Sequence, residues 1–268
     1  MQTYHPCVGG AAVEGLPGWV TLLRAPNPGP MTMDGTNTWV LRAPGATEAV
    51  VIDPGPLDHR HLAGIAGHAP VSSILVTHGH QDHVEGAAEL SRMLGGVPVR
   101  AADARHCVGS EPLTPGVRTE AGLEIEVLAT PGHTADSLCF GTAEAVFTGD
   151  SILGRGTTVV AWPDGDLAAY LDSLEVLSAY RRMVLPGHGP ARSDCGELAR
   201  AYLAHRRERL DQVRAAVAAG ADTPEAVVDA VYTDLDPAVR FAAIWSTRAQ
   251  LEYLRRESQP VPEQLDPL

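Results

Sequence analysis

The chain has 268 residues, 44% of them hydrophobic and 20% charged, a balance that is typical of globular proteins and excludes wholesale disorder. Its formal net charge of −13 comes from 33 acidic residues against 20 basic ones, and every basic residue is an arginine. The acidity counts against nucleic-acid binding, and the lack of lysine excludes mechanisms that need a lysine base or a Schiff base.

Short apolar runs between Gly- and Pro-rich turns predict β-strands in the first two-thirds of the chain. The predicted strands are Trp19–Leu23, Asn37–Leu41, Ala49–Ile52, Ser73–Val76, Val97–Ala101, Leu123–Leu128, Ser137–Phe140, Ala145–Phe147 and Met183–Leu185. Helices are predicted over Pro56–His68, Asp82–Leu94 and Asp166–Ala179. Hairpin-like strands mixed with strand–helix units indicate a layered α/β or α+β domain, with helices covering the sheets.

The pattern becomes helical after Cys195, with helices predicted over Gly196–Ala219, from Thr223 onwards and over Ala238–Arg255. We therefore expect a catalytic domain over residues 1–195 and a helical segment over residues 196–268. These helices could be a helix-turn-helix or winged-helix appendage, a lid, or a bundle that forms a dimer. Between Gly196 and Ser258 there are nine Arg and ten Asp plus Glu, so the segment gives little support to nucleic-acid binding.

The loop Thr77-His-Gly-His-Gln-Asp-His83 follows a predicted buried strand and carries three imidazoles and a carboxylate. Such groups are costly to bury unpaired. A loop that leaves a strand end can direct His78 and His80 towards one cation, and Asp82 and His83 towards a neighbouring one. Imidazole and carboxylate ligands suit Zn²⁺. The alternative, a polar surface turn, does not explain four ligand-type residues at this spacing.

Three more ligand candidates stand where a predicted strand ends in a glycine turn. They are His133 in Thr130-Pro-Gly-His-Thr134, Asp150 in Phe147-Thr-Gly-Asp150, and His188 in Pro186-Gly-His-Gly-Pro190. Taken alone, each motif fits an ordinary turn as well as it fits a metal ligand. Their occurrence in this order behind the histidine-rich loop favours one shared metal site.

From Trp19 to Pro190 these motifs resemble the metallo-β-lactamase-fold superfamily of metallohydrolases. The resemblance implies an α+β fold, a four-layer αββα sandwich with a dinuclear metal site at one rim of the sheets. Asp53, in Ile52-Asp-Pro-Gly55, matches a family carboxylate that orients the ligand loops without binding metal. The ligands that the resemblance implies are His78, His80 and His133 for the first metal and Asp82, His83 and His188 for the second, with Asp150 bridging both.

Two loop stretches, Asn27–Thr38 and Gly156–Asp164, resemble the β-lactamase-like protein 2 group, whose members carry a C-terminal winged-helix-like segment. The helices after Gly196 are similar to that segment, with a wing that is short or missing. Some members of the group are single-strand endoribonucleases. The loops Met31–Thr38 and Ile152–Trp162 are expected to form walls of the cleft, where Trp162 is either an apolar wall or a buried edge residue. Arg155 is either an anchor for an anionic group or a solvated side chain.

The favoured function is a dinuclear zinc hydrolase in which a metal-bridging hydroxide attacks a small acyl ester, thioester or lactone-like substrate. Asp82 would serve both as a ligand and, catalytically, as an acceptor of a hydrogen bond from the nucleophile. The alternative is a metal-dependent endoribonuclease that cleaves single-stranded RNA. Two further readings rank lower: a mononuclear iron oxygenase on the same fold, and a ligand sensor whose tail binds DNA.

The expected cofactors are two Zn²⁺ ions, with Mn²⁺ or Fe²⁺ as alternatives. A small-molecule substrate is favoured over RNA, and the C-terminal helices could form a homodimer. No run of eighteen apolar residues predicts a membrane span, and Met1–Ala12 has no signal-peptide pattern, so a cytoplasmic protein is expected. The scattered cysteines predict reduced thiols, with Cys139 as a core residue.

Overall fold

The computed structural model describes residues 15–258. Its strands lie mostly where the apolar runs predict them, and helices stand between them and after the last strand. The strands are β1 Val20–Arg24, β2 Asn37–Leu41, β3 Ala49–Ile52, β4 Val71–Leu75, β5 Val99–Arg100, β6 Gly116–Glu120, β7 Leu123–Ala129, β8 Leu138–Gly141, β9 Ala145–Gly149 and β10 Met183–Pro186. The α-helices are α1 His59–Ala66, α2 Gln81–Val84, α3 Ala87–Met93, α4 Leu167–Leu177, α5 Cys195–Ala218, α6 Pro224–Val231 and α7 Arg240–Glu257.

The strands form two five-stranded mixed sheets, in the orders β1-β2-β3-β4-β5 and β10-β9-β8-β7-β6. In the first sheet, β3, β4 and β5 run parallel and the remaining pairs are antiparallel. In the second sheet, only β9 and β10 run parallel. Parallel neighbours bring the loops that follow β4, β9 and β10 to the carboxyl ends of their strands, where ligand sites of layered α/β folds commonly form.

Alternating side chains of the buried strands divide between two cores, because successive residues of a strand point to opposite faces. Val50 and Ile52 of β3 pack between the two sheets, together with residues of β7, β8 and β9. Val51 of β3 faces outward, where α1 and α3 cover the first sheet. Cys139 of β8 is fully buried among residues of α4 and α5, which cover the second sheet. The layers are therefore helix, sheet, sheet and helix, which confirms the expected αββα sandwich and the core position of Cys139.

The structure corrects the predicted elements at three places. The predicted helix Asp82–Leu94 is two helices, because the chain turns at Gly86, whose N–H donates to the Gly55 carbonyl. Helix α1 begins at His59 instead of Pro56, since the Asp58 side chain accepts a hydrogen bond from the His61 N–H and caps the helix. Strand β6 is not among the predicted strands.

The C-terminal segment consists of α5, α6, a short 3₁₀ turn and α7, without a β-strand among residues 195–258. Helix α5 is anchored on the second sheet by buried side chains such as Leu198 and Tyr202. The Tyr202 hydroxyl accepts a hydrogen bond from the Leu153 N–H and donates one to the Gly156 carbonyl, so α5 also holds the loop that follows β9. Over residues 15–258, no helix combines the length and apolar character that crossing a membrane requires.

Candidate metal centre

All seven predicted ligand residues meet at one end of the two sheets, in loops that leave strand ends. His78 lies in the loop after β4, and His80 and His83 lie at the start of α2 and within it. The other sheet contributes the turn between β7 and β8 and the residues directly after β9 and β10. The side chains that meet there are His78, His80, Asp82, His83, His133, Asp150 and His188.

Three imidazoles form the first cluster. The Nδ1 atom of His80 lies 3.0 Å from Nε2 of His78 and 3.0 Å from Nε2 of His133. His133 Nδ1 is 2.8 Å from the Val159 carbonyl oxygen, to which it donates, so its Nε2 carries a lone pair when the ring is neutral. Three ring nitrogens that converge in this way can share one cation.

A carboxylate and two imidazoles form the second cluster. The Nε2 atoms of His83 and His188 are 3.2 Å apart, and Oδ2 of Asp82 lies 3.4 Å from the first and 3.1 Å from the second. Asp150 stands between the two clusters: its oxygens lie 3.5 Å from His83 Nε2, 3.4 Å from His188 Nε2 and 3.8 Å from His133 Nε2. Asp150 is therefore located where a bridging ligand of two cations would be.

A hydrogen-bond network behind the clusters fixes the orientation of two imidazoles. Asp53 accepts hydrogen bonds from the Thr77 N–H at 2.8 Å, from the Thr77 hydroxyl at 2.7 Å and from His83 Nδ1 at 2.8 Å. Since the Thr77 hydroxyl donates to Asp53, it accepts from His78 Nδ1, 3.0 Å away. The network thus turns the Nε2 atoms of His78 and His83 towards the cluster. This orienting role is the one that the family resemblance implies for Asp53, and Thr77 shares it although no motif in the sequence predicts that.

Burial favours the neutral form of two imidazoles of the first cluster, those of His78 and His133. Burial lowers the pKa of His78 well below its usual value, and the neighbouring imidazoles lower it further. Burial also lowers the pKa of His133. Neutral imidazole is the form that coordinates a metal ion, so these two side chains need not lose a proton to bind one.

The second cluster has the opposite balance. Burial alone would lower the pKa of His83 and His188, but the carboxylates of Asp150 and Asp82 raise these values to about 8 and about 11. Burial would raise the pKa of Asp82, but the charge of His83 and a hydrogen bond from His188 lower it to about 2. A cation that binds here would take the place of imidazole protons, so its binding would release protons and weaken as the pH falls.

Two further features fit a cation at this position. Asp150 Oδ1 is buried and has no hydrogen-bond partner among the described residues, although a buried carboxylate oxygen is costly to leave unpaired. The backbone of Gly187 lies close to the cluster: a Cβ atom at this position would be 2.5 Å from Asp150 Oδ1 and 2.6 Å from His83 Cε1. The backbone at Gly187 thus lies directly against the cluster, and one buried carboxylate oxygen in the cluster has no hydrogen bond among the described residues.

The loop before β2 closes one side of the cluster. The Thr36 hydroxyl donates to Asp82 Oδ2 at 3.2 Å, a contact that the sequence analysis did not identify. On the same loop, Asp34 forms a two-pronged ion pair with Arg155, both distances being 3.0 Å. Arg155 is therefore a half-exposed side chain, as the solvated alternative expects, and its guanidinium is paired with Asp34. Trp162 is 36% exposed and lies under the guanidinium of Arg256, so it is not a buried edge residue.

Replacing Asp53 is expected to weaken metal binding without removing a ligand. Asp53→Ala should lower the affinity for Zn²⁺ by about 10- to 100-fold, the usual cost of losing a group that orients ligands. Asp53→Asn should have a smaller effect, because its side-chain oxygen can still accept from the Thr77 N–H. Competition titrations against a fluorescent zinc chelator measure the Zn²⁺ dissociation constants of both variants. If Asp53→Ala bound Zn²⁺ as tightly as the wild type, the hydrogen bonds of Asp53 would not orient the ligands.

Comparisons with known proteins agree with this geometry. The sequence profile of the metallo-beta-lactamase superfamily matches residues 31–107. The chain is 31% identical over 263 residues to "Beta-lactamase-like protein 2 homolog" of Caenorhabditis elegans, covering 91% of this chain and 87% of that protein. It is 33% identical over 244 residues to "Atrochrysone carboxyl ACP thioesterase" of Aspergillus fumigatus, covering 81% of this chain and 75% of that protein.

A solved structure shares the fold over nearly the whole chain. The crystal structure of a beta-lactamase domain protein from Burkholderia ambifaria superposes with a TM-score of 0.78, covering 98% of this chain and 93% of that one at 22% identity. The sequence similarity to the nematode protein extends over both the sandwich and the C-terminal helices. With its two sheets, flanking helices and His/Asp clusters, the chain belongs to the metallo-beta-lactamase superfamily of hydrolases.

Proposed function

We propose that this chain is a dinuclear zinc hydrolase that cleaves a small acyl ester, thioester or lactone-like substrate. The observation that carries the proposal is the convergence of seven ligand-type side chains at one place, with Asp150 in contact with members of both clusters. A single four-coordinate metal ion would leave about three of the seven side chains unused. Two clusters joined by a carboxylate are what a pair of adjacent cations requires.

In this proposal each cluster would hold one ion, and Asp150 would be available to both. Bound zinc would supply a nucleophile from water at neutral pH and polarise the carbonyl of the substrate. Asp53 and Thr77 hold the rings of His78 and His83 in place, and the Val159 carbonyl holds that of His133. These contacts fix the ligand positions before substrate binds. The ligand roles are those that the sequence predicts.

Asp82 has a second role in the proposal besides binding metal. Its Oδ2 atom accepts a hydrogen bond from the Thr36 hydroxyl, and its side chain is about a quarter exposed. Positive charge beside Asp82 lowers its pKa, whether it comes from the imidazolium groups of His83 and His188 or from a cation that replaces their protons, so the carboxylate is ionised at neutral pH. An ionised, partly exposed carboxylate at this position can accept a hydrogen bond from the attacking water and so orient it.

The charges at the mouth of the cleft favour an acyl substrate over RNA. Arg155 is already paired with Asp34, and Arg105 with Asp103 at 2.5 Å. Beside His80 lies another carboxylate, Asp164, at 3.8 Å. A polyanion needs cationic side chains that are free to displace its counterions. The similarity to a protein named as an ACP thioesterase also favours thioester hydrolysis.

The test is metal analysis combined with a substrate panel. We expect two zinc ions per chain, hydrolysis of acyl thioesters, and loss of that activity in the presence of a chelator and its return with Zn²⁺. His78→Ala should be inactive, whereas the control His59→Ala, which changes an exposed histidine of α1, should keep wild-type activity. A protein that binds one iron, or that cleaves labelled single-stranded RNA but no acyl substrate, would overturn the proposal.

A further inference from the structure

A cavity of about 270 Å³ lies between the C-terminal helices and the loop that follows β9. One wall is residues 156–159 of the loop, another is the face of α5 with Arg206 and Arg209, and the rest comes from the end of α6 and from α7. The residues on α5 recur at helical spacing, so they present one face to the cavity. The cavity has the size of a small ligand-binding pocket.

Two guanidinium groups line this cavity in a chain with a large excess of acidic residues. Arg206 is 5% exposed; its contacts are the Thr158 carbonyl and the ring of Tyr170, and its Nε has no hydrogen-bond partner in the described residues. Arg209 stacks 4.3 Å over the ring of Tyr232 and donates to the Val231 carbonyl. Within residues 15–258, neither arginine forms an ion pair, whereas the neighbouring Arg207 pairs with Glu175 at 2.7 Å.

An arginine charge that is buried without a carboxylate is poorly compensated, because carbonyl groups and aromatic rings neutralise it only partly. The one carboxylate among the described lining residues, Asp234, lies on the exposed loop after α6. An anionic group in the cavity would supply the missing negative charge. Arginine binds carboxylate and phosphate through paired hydrogen bonds.

The remaining walls suit an apolar body attached to such an anion. Leu235, Val239, Ala242 and Ala243 line the cavity away from α5, and the ring of Tyr232, which stacks against Arg209, lines it as well. Polar and apolar groups thus meet in one cavity, as they do in sites that orient an organic acid.

The cavity is separate from the candidate metal centre. None of the seven predicted metal ligands lines it; residues 158 and 159 stand between the two. On the side away from the cavity, the Thr158 hydroxyl donates to the Asp150 carbonyl and the Val159 carbonyl accepts from His133. A ligand in the cavity would therefore contact the loop and the arginines without touching the predicted ligand side chains.

From these contacts we propose that the cavity is a second ligand-binding site, for a small organic anion that joins a carboxylate or phosphate group to an apolar or aromatic body. The arginines bind the anionic group, and the apolar side chains of α7 and of the segment before it bind the body. Because no predicted metal ligand lines the cavity, ligand binding there does not require bound metal. The proposal is also independent of the hydrolase function proposed above.

Isothermal titration of the full chain with 1-naphthoate, 1-naphthyl phosphate and neutral 1-naphthylmethanol tests the proposal. We expect saturable one-site binding of at least one anion, in the protein as purified and after dialysis against a chelator. Binding should be at least about tenfold weaker for the alcohol, since it forms no charge-assisted hydrogen bond. Whether naphthoate or the phosphate ester binds more tightly identifies the anionic group.

Two variants act on the site in different ways. Arg209→Gln removes a charge and Ala243→Leu fills the cavity, and each should weaken anion binding by at least about tenfold. The matched control Arg207→Gln, on the opposite side of α5, should bind as the wild type does. Circular dichroism melting checks that every variant folds. The proposal is overturned if no anion binds saturably, if the alcohol binds as tightly, if chelation abolishes binding to folded protein, or if both variants keep wild-type affinity.

Discussion

For the dinuclear zinc hydrolase proposed above, Asp150→Asn is expected to reduce bound zinc from two ions to one or none per chain and to lower kcat/KM by more than about 100-fold. We expect more than about 100-fold because losing a group that only orients a ligand already lowers metal affinity or activity by about 10- to 100-fold. Asparagine preserves the size of the side chain but not its charge, and its NH₂ group would face the imidazoles that Asp150 now contacts at 3.4 to 3.8 Å. One substitution thus acts on both clusters.

Elemental analysis of the purified variant measures its zinc content, and initial rates on a thioester give kcat/KM. Asp172→Asn is the matched control, because Asp172 is an exposed carboxylate of α4, and it should leave both quantities unchanged. Far-UV circular dichroism should be the same for all three proteins. If Asp150→Asn still bound two zinc ions and turned over at the wild-type rate, Asp150 would not be a bridging ligand.

The strands and the clustering of the candidate ligand residues could be predicted because most of them leave a local signal. Strands such as Ala49–Ile52 are continuous apolar runs that become fully buried, and they were predicted with the bounds that the structure has. His78, His80, Asp82 and His83 share one loop, so their polar groups stand together in the sequence itself. The sequence also predicts that His133, Asp150 and His188 join them, although only the fold brings these residues within reach.

Other features could not be predicted because their causes lie far apart in the chain. Strand β6 has no buried face, since Val117 is 69% exposed, and it exists because it pairs with β7. The break at Gly86 depends on a contact with Gly55. The Arg155–Asp34 ion pair and the Thr36–Asp82 hydrogen bond join residues 121 and 46 positions apart. Local patterns carry no information on such partners.

Gly132→Ala is expected to be among the most destabilising single substitutions in this chain. Gly132 has a φ of +136°, and a Cβ atom there would stand 2.3 Å from the Tyr170 Cα and 2.4 Å from its nitrogen. These atoms belong to the backbone of α4, so no side-chain rotation can relieve the overlap. The helix also depends on Gly132 directly, because the Asp166 N–H at its N-terminus donates to the Gly132 carbonyl.

Gly116 provides a control with the same backbone conformation, since its φ is +138° but nothing lies within 4 Å of a Cβ atom there. Gly116→Ala should therefore show the backbone strain alone, a loss of about 1–3 kcal/mol in the free energy of unfolding. Gly132→Ala should lose at least about 2 kcal/mol more, because packed backbone must move apart. Urea unfolding of both variants measures the difference. If both variants lost the same free energy of unfolding, α4 could move away from the turn that carries His133 without an energetic cost. The helix would then not hold that turn in a fixed position.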